Sequence, residues 1–139
     1  MTCPRIILYK FIICLSAILF SYSCKTYSEQ DLYGTWTCKN NESEVMITFN
    51  PDFTWKYELK TAASEPVLLT GTYDINFSKH PVPLTVRNIP QLTHPLHTII
   101  DFVTRDQIRI SQFAPRWRTR PISFDPHSEL ILKRSKRGL

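Results

Sequence analysis

Two short runs of the chain, residues 44–50 and 53–60, alternate apolar and polar side chains. The apolar members of each run share one face of an extended strand: Val45, Ile47 and Phe49 in the first, and Phe53, Trp55, Tyr57 and Leu59 in the second. A period of two is the pattern of a half-buried strand and not of an amphipathic helix. Because the tight turn Asn50-Pro51-Asp52 joins the two runs, the sequence predicts a β-hairpin here.

Similar short runs occupy most of the remaining chain. They predict further strands at residues 32–38, 67–77, 84–86, 97–104, 107–112 and 130–132, and residues 28–31 predict a capped helical turn. Gly71, in the middle of one run, predicts a bulge or a bend. About eight short strands without an amphipathic helix or a repeat predict an all-β fold. An eight-stranded antiparallel meander barrel is favoured, because closure removes exposed strand edges.

The first 23 residues have the order of a secretory signal. Arg5 and Lys10 precede a ten-residue apolar stretch, residues 11–20, and Ser21 and Ser23 stand at positions −3 and −1 before Cys24. Ten apolar residues are too few to span a bilayer, which needs about 20. We therefore expect an N-terminal signal helix, export, and a mature chain that begins at Cys24. An uncleaved membrane anchor is the alternative.

Residues 19–24 resemble the lipobox of bacterial lipoproteins, in which the cysteine after the cut carries diacylglycerol. The resemblance implies that Cys24 is lipidated and anchors the protein to a membrane of the cell envelope. A secreted or periplasmic protein is the alternative. Cys3 and Cys14 belong to the signal, so Cys24 and Cys38 remain. Without lipidation, a Cys24–Cys38 disulfide is possible in an oxidising compartment.

The positive charge of the chain is concentrated at its two ends. Of the 17 Lys and Arg residues, two lie in residues 1–23 and four in residues 133–137, which leaves 11 against 12 acidic residues. A near-neutral body argues against a nucleic-acid-binding function, because such proteins carry basic charge on the folded surface. We divide the chain into a signal (1–23), a polar spacer (24–30), a barrel (31–134) and a basic tail (135–139). The tail is a solvated end, or alternatively a contact for anionic lipid.

Gly34-Thr35-Trp36 is similar to the Gly-x-Trp signature of lipocalins, which implies that Trp36 plugs the closed end of a barrel and that Gly34 lets the chain pass beneath it. Gly71-Thr72-Tyr73 and Arg120-Pro121-Ile122-Ser123-Phe124 resemble a lipocalin-like domain of unknown function, the planctomycete-type bacterial family, and the resemblance covers residues 31–134. The structural signature is therefore Gly34, Trp36, Gly71, Tyr73, Arg120, Pro121 and Phe124. The family has no established catalytic residues, and none are transferred.

Arg116, Trp117 and Arg118 form the densest candidate binding site. Guanidinium groups pair bidentately with carboxylates and phosphates, so an anionic ligand such as a sugar acid is the predicted chemistry. The alternative is a solvated loop in which Trp117 folds onto the barrel wall and Arg120 braces the closed end.

The sequence predicts no metal site, no cofactor and no enzymatic activity. His94 and His97 are separated by Pro95, which disfavours a helical metal-binding pair. No nucleophile-elbow motif is present, and no spacing assembles a nucleophile with a base.

Two functions remain open. The first is an exported, membrane-anchored, monomeric lipocalin-like protein that binds a small apolar or anionic ligand. The second is a protein–protein interaction or inhibitor module with a filled barrel and no ligand. The barrel interior discriminates between them, because a binder needs an apolar cavity.

Overall fold

The computed structural model describes residues 25–136. The predicted signal, Cys24 and residues 137–139 lie outside this range. The described elements are helix α1 (Glu29–Leu32), strands β1 (Gly34–Lys39), β2 (Ser43–Phe49), β3 (Thr54–Thr61), β4 (Val67–Ile75), β5 (Val82–Arg87), β6 (Leu96–Thr104), β7 (Gln107–Ile110) and β8 (Leu130–Arg134), and a 3-10 helix, Trp117–Thr119.

The eight strands form one closed antiparallel barrel in which each strand pairs with the next along the chain. The pairing of β1 with β8, at Trp36 opposite Arg134 and Thr37 opposite Lys133, closes the barrel. The all-β, eight-stranded antiparallel meander predicted from the sequence is confirmed. None of the helices in the described part of the chain has the length and apolar character needed to cross a membrane.

The predicted hairpin is present as β2 and β3, with Phe49 opposite Trp55. The prediction that Phe53 shares the inward face of β3 is wrong. Phe53 lies in the turn, has a positive φ of 63° and is 45% exposed. The tight reversal requires a left-handed residue at this position, which breaks the alternation before β3 begins at Thr54.

Gly71 allows a close approach between strands. The pairings of β4 with β3 and β5 show no register shift, so of the two predicted alternatives the bulge is wrong, and the bend stays a prediction. A Cβ atom at Gly71 would lie 2.4 Å from the backbone oxygen of Arg87. The same Cβ would also lie 3.1 Å from Cγ1 of Ile89, so the missing side chain leaves room for the chain that follows β5.

One end of the barrel, here called the closed end, is sealed by α1, Trp36 and Arg134. The Trp36 ring is fully buried, and its Nε1 donates a hydrogen bond to the Leu32 oxygen at 2.8 Å. The Arg134 guanidinium lies 4.2 Å above this ring and donates to the backbone oxygens of Asp31 and Tyr33. Arg134, and not Arg120, therefore braces the closed end.

The start of β1 and the turn of α1 are both explained by local chemistry. Gly34 has a φ of +122°, a conformation that favours glycine. The Asp31 carboxylate accepts hydrogen bonds from the backbone N–H and the hydroxyl of Ser28. The backbone N–H of Ser28 holds the pKa of Asp31 below its usual value, and the nearby Arg105 lowers this pKa further.

Candidate functional site

The end of the barrel opposite the closed end, here called the mouth, has apolar side chains that are only partly covered. In the lower half, inward residues such as Ile47, Phe49 and Leu84 are fully buried. Near the mouth, inward and loop residues are half-buried and pack on this core: Cys38, Tyr57, Leu59, Leu69, Leu92 and Phe113. Side chains thus fill the interior toward the closed end, and those toward the mouth pack on this core while staying partly exposed.

Trp55, directly opposite Phe49 near the start of β3, is a buried member of the core. It is 2% exposed, and its indole contacts the rings of Tyr57 and Phe113, each with a centroid separation of 6.0 Å. Its Nε1–H is buried and has no hydrogen-bond partner among the described residues. Burial also raises the pKa of the neighbouring Tyr57, because the charged phenolate is poorly solvated there. The core therefore contains a buried donor in an apolar setting, next to the half-buried rings of Tyr57 and Phe113.

A concave site lies on the outer wall of the barrel and is here called the outer cleft. It has a volume of about 290 Å³, and its lining includes Asp74, Asn76, Arg87, His97, Trp117 and Arg120. His97 is 8% exposed, and its Nδ1 lies 3.1 Å from the Thr85 hydroxyl oxygen. Burial, and then the charges of Arg87 and Arg120, lower the pKa of His97, so the imidazole is neutral at pH 7.

The structure separates the three candidate ligand residues of the sequence. Trp117 lines the outer cleft and is 60% exposed. Arg116 and Arg118 are exposed and are not among the residues that line this cleft. In their place, Arg120 from the same segment lies over the Trp117 ring, and Arg87 from β5 lines the same cleft. A role for Arg116 and Arg118 in binding stays a prediction.

The remaining signature residues make structural contacts. The Tyr73 hydroxyl donates to the Asn50 oxygen at 2.9 Å, and its ring packs edge-on against Phe49. Burial raises the pKa of Tyr73 to about 12. Phe124 packs under the Arg109 guanidinium at 4.1 Å. Pro121 restricts Arg120 to an extended conformation, which ends the 3-10 helix.

Within residues 25–136, no three side chains of His, Cys, Asp or Glu lie together as metal ligands. His94 lies beside a separate cleft in the loop between β5 and β6, and His97 faces the outer cleft. Sequence analysis missed both Trp55 as a donor and the grouping of Arg87 with His97. Alternation places these side chains on the inner or outer face, but their neighbours depend on strand register.

Comparison with protein-family models, curated proteins and solved structures finds no match for this chain. Its function therefore has to be inferred from its own residues.

Proposed function

We propose that this chain is an exported, membrane-anchored, lipocalin-like protein that binds a small, mainly apolar molecule in its mouth. The Trp55 Nε1–H, buried without a partner beside the half-buried Tyr57 and Phe113, carries this proposal. An acceptor at the end of the molecule that enters the barrel would pair with this donor.

The energetics favour an acceptor at this position. A buried donor without a partner costs about 1–3 kcal/mol. A carbonyl or ether oxygen beside Trp55 would recover part of this cost. The half-buried side chains of Tyr57, Leu59 and Leu69 offer apolar contact to the rest of the ligand. Ligand pockets commonly combine such apolar walls with a few placed polar groups.

Export and anchoring are proposed from the signal pattern and the cysteine that follows it. Tyr27 stacks on Phe102 near the closed end, with centroids 4.3 Å apart and planes at 13°. Cys24 is three residues from Tyr27, which is at most about 10 Å of extended chain. A lipid on Cys24 would thus hold the closed end toward the membrane and leave the mouth facing away from it.

The test compares two ligands that differ in one acceptor. The fluorescent probe N-phenyl-1-naphthylamine is bound to the purified protein and displaced by either 2-decanone or n-decane. We expect the ketone to bind about tenfold more tightly, the equivalent of one hydrogen bond.

The Trp55→Phe variant should lose this preference, because it keeps an aromatic ring and removes the N–H. Trp117→Phe is the matched control and should behave like the wild type, since Trp117 lies outside the mouth. A protein that binds neither the probe nor the ketone, or an equal loss in both variants, contradicts the proposal. Native mass spectrometry of protein purified from its host tests anchoring separately, through the mass added at Cys24.

A protein–protein interaction module remains the second candidate. It is favoured by Val67 and Leu68, which are 45% and 46% exposed at the start of β4 on the rim of the mouth. Exposed apolar neighbours of this kind occur at binding surfaces. A partner protein that copurifies in fixed ratio and is lost in Leu68→Ser, with no probe binding, would favour this function.

A further inference from the structure

Polar side chains form a ladder across the outer face of three adjacent strands. Asp74 on β4 is directly opposite Thr85 on β5, and Thr85 is directly opposite His97 on β6. Directly opposed residues have Cβ atoms about 4.5–5.5 Å apart and point to the same face. Arg87, two residues beyond Thr85, points to this face as well. The register thus brings an acid, a hydroxyl, an imidazole and a guanidinium together.

The segment after β7 covers one side of this ladder. Ala114 and His97 exchange two backbone hydrogen bonds of 2.8 Å, which hold the segment against β6. The chain then turns through the 3-10 helix, and the backbone N–H of Arg120 donates to the Trp117 oxygen at 3.2 Å. The Arg120 guanidinium lies 4.6 Å from the centroid of the Trp117 ring. These contacts fix one wall of the outer cleft.

The guanidinium groups of Arg120 and Arg87 in the outer cleft have N–H donors without a hydrogen-bond partner among the residues that the structure describes. The Arg120 Nε is buried and has no hydrogen-bond partner among residues 25–136. Within the same range, Arg87 makes no ion pair or side-chain hydrogen bond. Asp74 is the acidic residue that lines the cleft, and the low pKa of His97 reflects burial and the two nearby positive charges. An anionic group would offset this charge.

We propose that the outer cleft binds an acidic monosaccharide, a single sugar ring that carries a carboxylate or a phosphate. Arg87 and Arg120 bind the anionic group, which guanidinium recognises through paired N–H donors. The Asp74 carboxylate accepts hydrogen bonds from ring hydroxyls, and the side-chain NH2 of Asn76 donates to them. The exposed part of the Trp117 indole offers an apolar surface to the ring. The site lies on the outer wall and is independent of the mouth.

The volume of the outer cleft supports one ring and not a longer chain. At about 290 Å³ it is at the lower limit of ligand pockets, which range over about 300–1,000 Å³. The cleft is also mixed in charge, because Asp74 faces the two arginines. A bare anion gains nothing from Asp74, whereas a sugar that also carries hydroxyls uses both kinds of group.

In the experiment, the full purified protein is titrated separately with D-glucuronate, D-glucose 6-phosphate, D-glucose and inorganic phosphate. Binding is measured by calorimetry or NMR. We expect at least one of the two acidic sugars to bind about tenfold more tightly than glucose and than phosphate. Arg87→Gln should weaken this binding by about tenfold or more, the effect of removing a hydrogen bond to a charged group.

Arg118→Gln is the comparison variant that separates the outer cleft from the loop site predicted from the sequence, because Arg118 is an exposed arginine of the same segment that does not line the cleft. It should bind as the wild type does. Arg120→Lys serves as a second variant, which keeps the charge and removes the fork of donors, and should also weaken binding. Since Arg87 is exposed on its strand, its variant is expected to fold, and an unchanged urea midpoint checks this.

Three results would overturn the proposal. The first is that neither acidic sugar binds more tightly than glucose, and the second is that phosphate alone binds as tightly as the sugar. The third is that Arg118→Gln abolishes binding that Arg87→Gln retains. The last result would place the site on the exposed arginines of the loop. None of these results affects the mouth, whose test uses uncharged ligands and other variants.

Discussion

Replacing Arg134 by Met should destabilise the barrel by about 3 kcal/mol. Arg134 donates to the backbone oxygens of Asp31 and Tyr33, and each such hydrogen bond contributes about 1 kcal/mol. Its guanidinium lies 4.2 Å above the buried Trp36 ring, which contributes about 1 kcal/mol more. The ion pair with Asp106 adds less than about 1 kcal/mol, because the Asp106 side chain is 77% exposed.

Urea unfolding followed by tryptophan fluorescence measures this loss. With a slope of about 1.5 kcal/mol per M, the urea midpoint of Arg134→Met should fall by about 2 M. Lys133→Met is the matched control, since Lys133 is adjacent, basic and exposed, and should stay within about 0.5 kcal/mol of the wild type. Asp106→Asn removes the exposed ion pair alone and should cost less than about 1 kcal/mol.

If Arg134→Met is no less stable than Lys133→Met, the account of the closed end is refuted. If Asp106→Asn costs as much as Arg134→Met, the exposed ion pair dominates. The carbonyl bonds and the contact with Trp36 would then contribute little.

Three further predictions concern single side chains. Gly71→Ala should destabilise by about 1–3 kcal/mol in the same urea assay, because its Cβ would meet the Arg87 oxygen at 2.4 Å, and a neutral result would contradict this contact. Tyr73 should ionise near pH 12 in an absorbance titration. Because its folded pKa is raised, stability should fall as pH rises above about 10, and less so in Tyr73→Phe. His97 has a folded pKa lowered from 6.5, so the unfolded chain takes up its proton first. Stability should therefore fall as the pH drops below 6.5, and equal acid sensitivity in His97→Gln would contradict this.

Much of the fold could be predicted, because strand alternation is a local signal. The hairpin of β2 and β3 and the inward residues Ile47, Phe49 and Trp55 follow from period-two patterning alone. Phe53 was misplaced because alternation continues in the sequence after the strand has ended in a turn. The conformation at Phe53 depends on the geometry of the reversal, which residue type alone does not define.

The binding sites could be predicted less well. The sequence drew attention to the arginines around Trp117 because they are adjacent in the chain. In the structure, Arg87 and Arg120 line the outer cleft, and they come from segments far apart in the sequence. The unpartnered N–H of Trp55 likewise depends on what surrounds the indole in the closed barrel.

The sequence by itself determined most of the strands and which side chains within a strand share a face, because both depend on neighbours two residues apart. The closure of β1 on β8 and the register of β4, β5 and β6 were decided only in the tertiary structure. Register is a property of paired strands, and a shift of one residue would move Asp74 or His97 to the opposite face. The closed end, the mouth and the outer cleft all depend on those pairings.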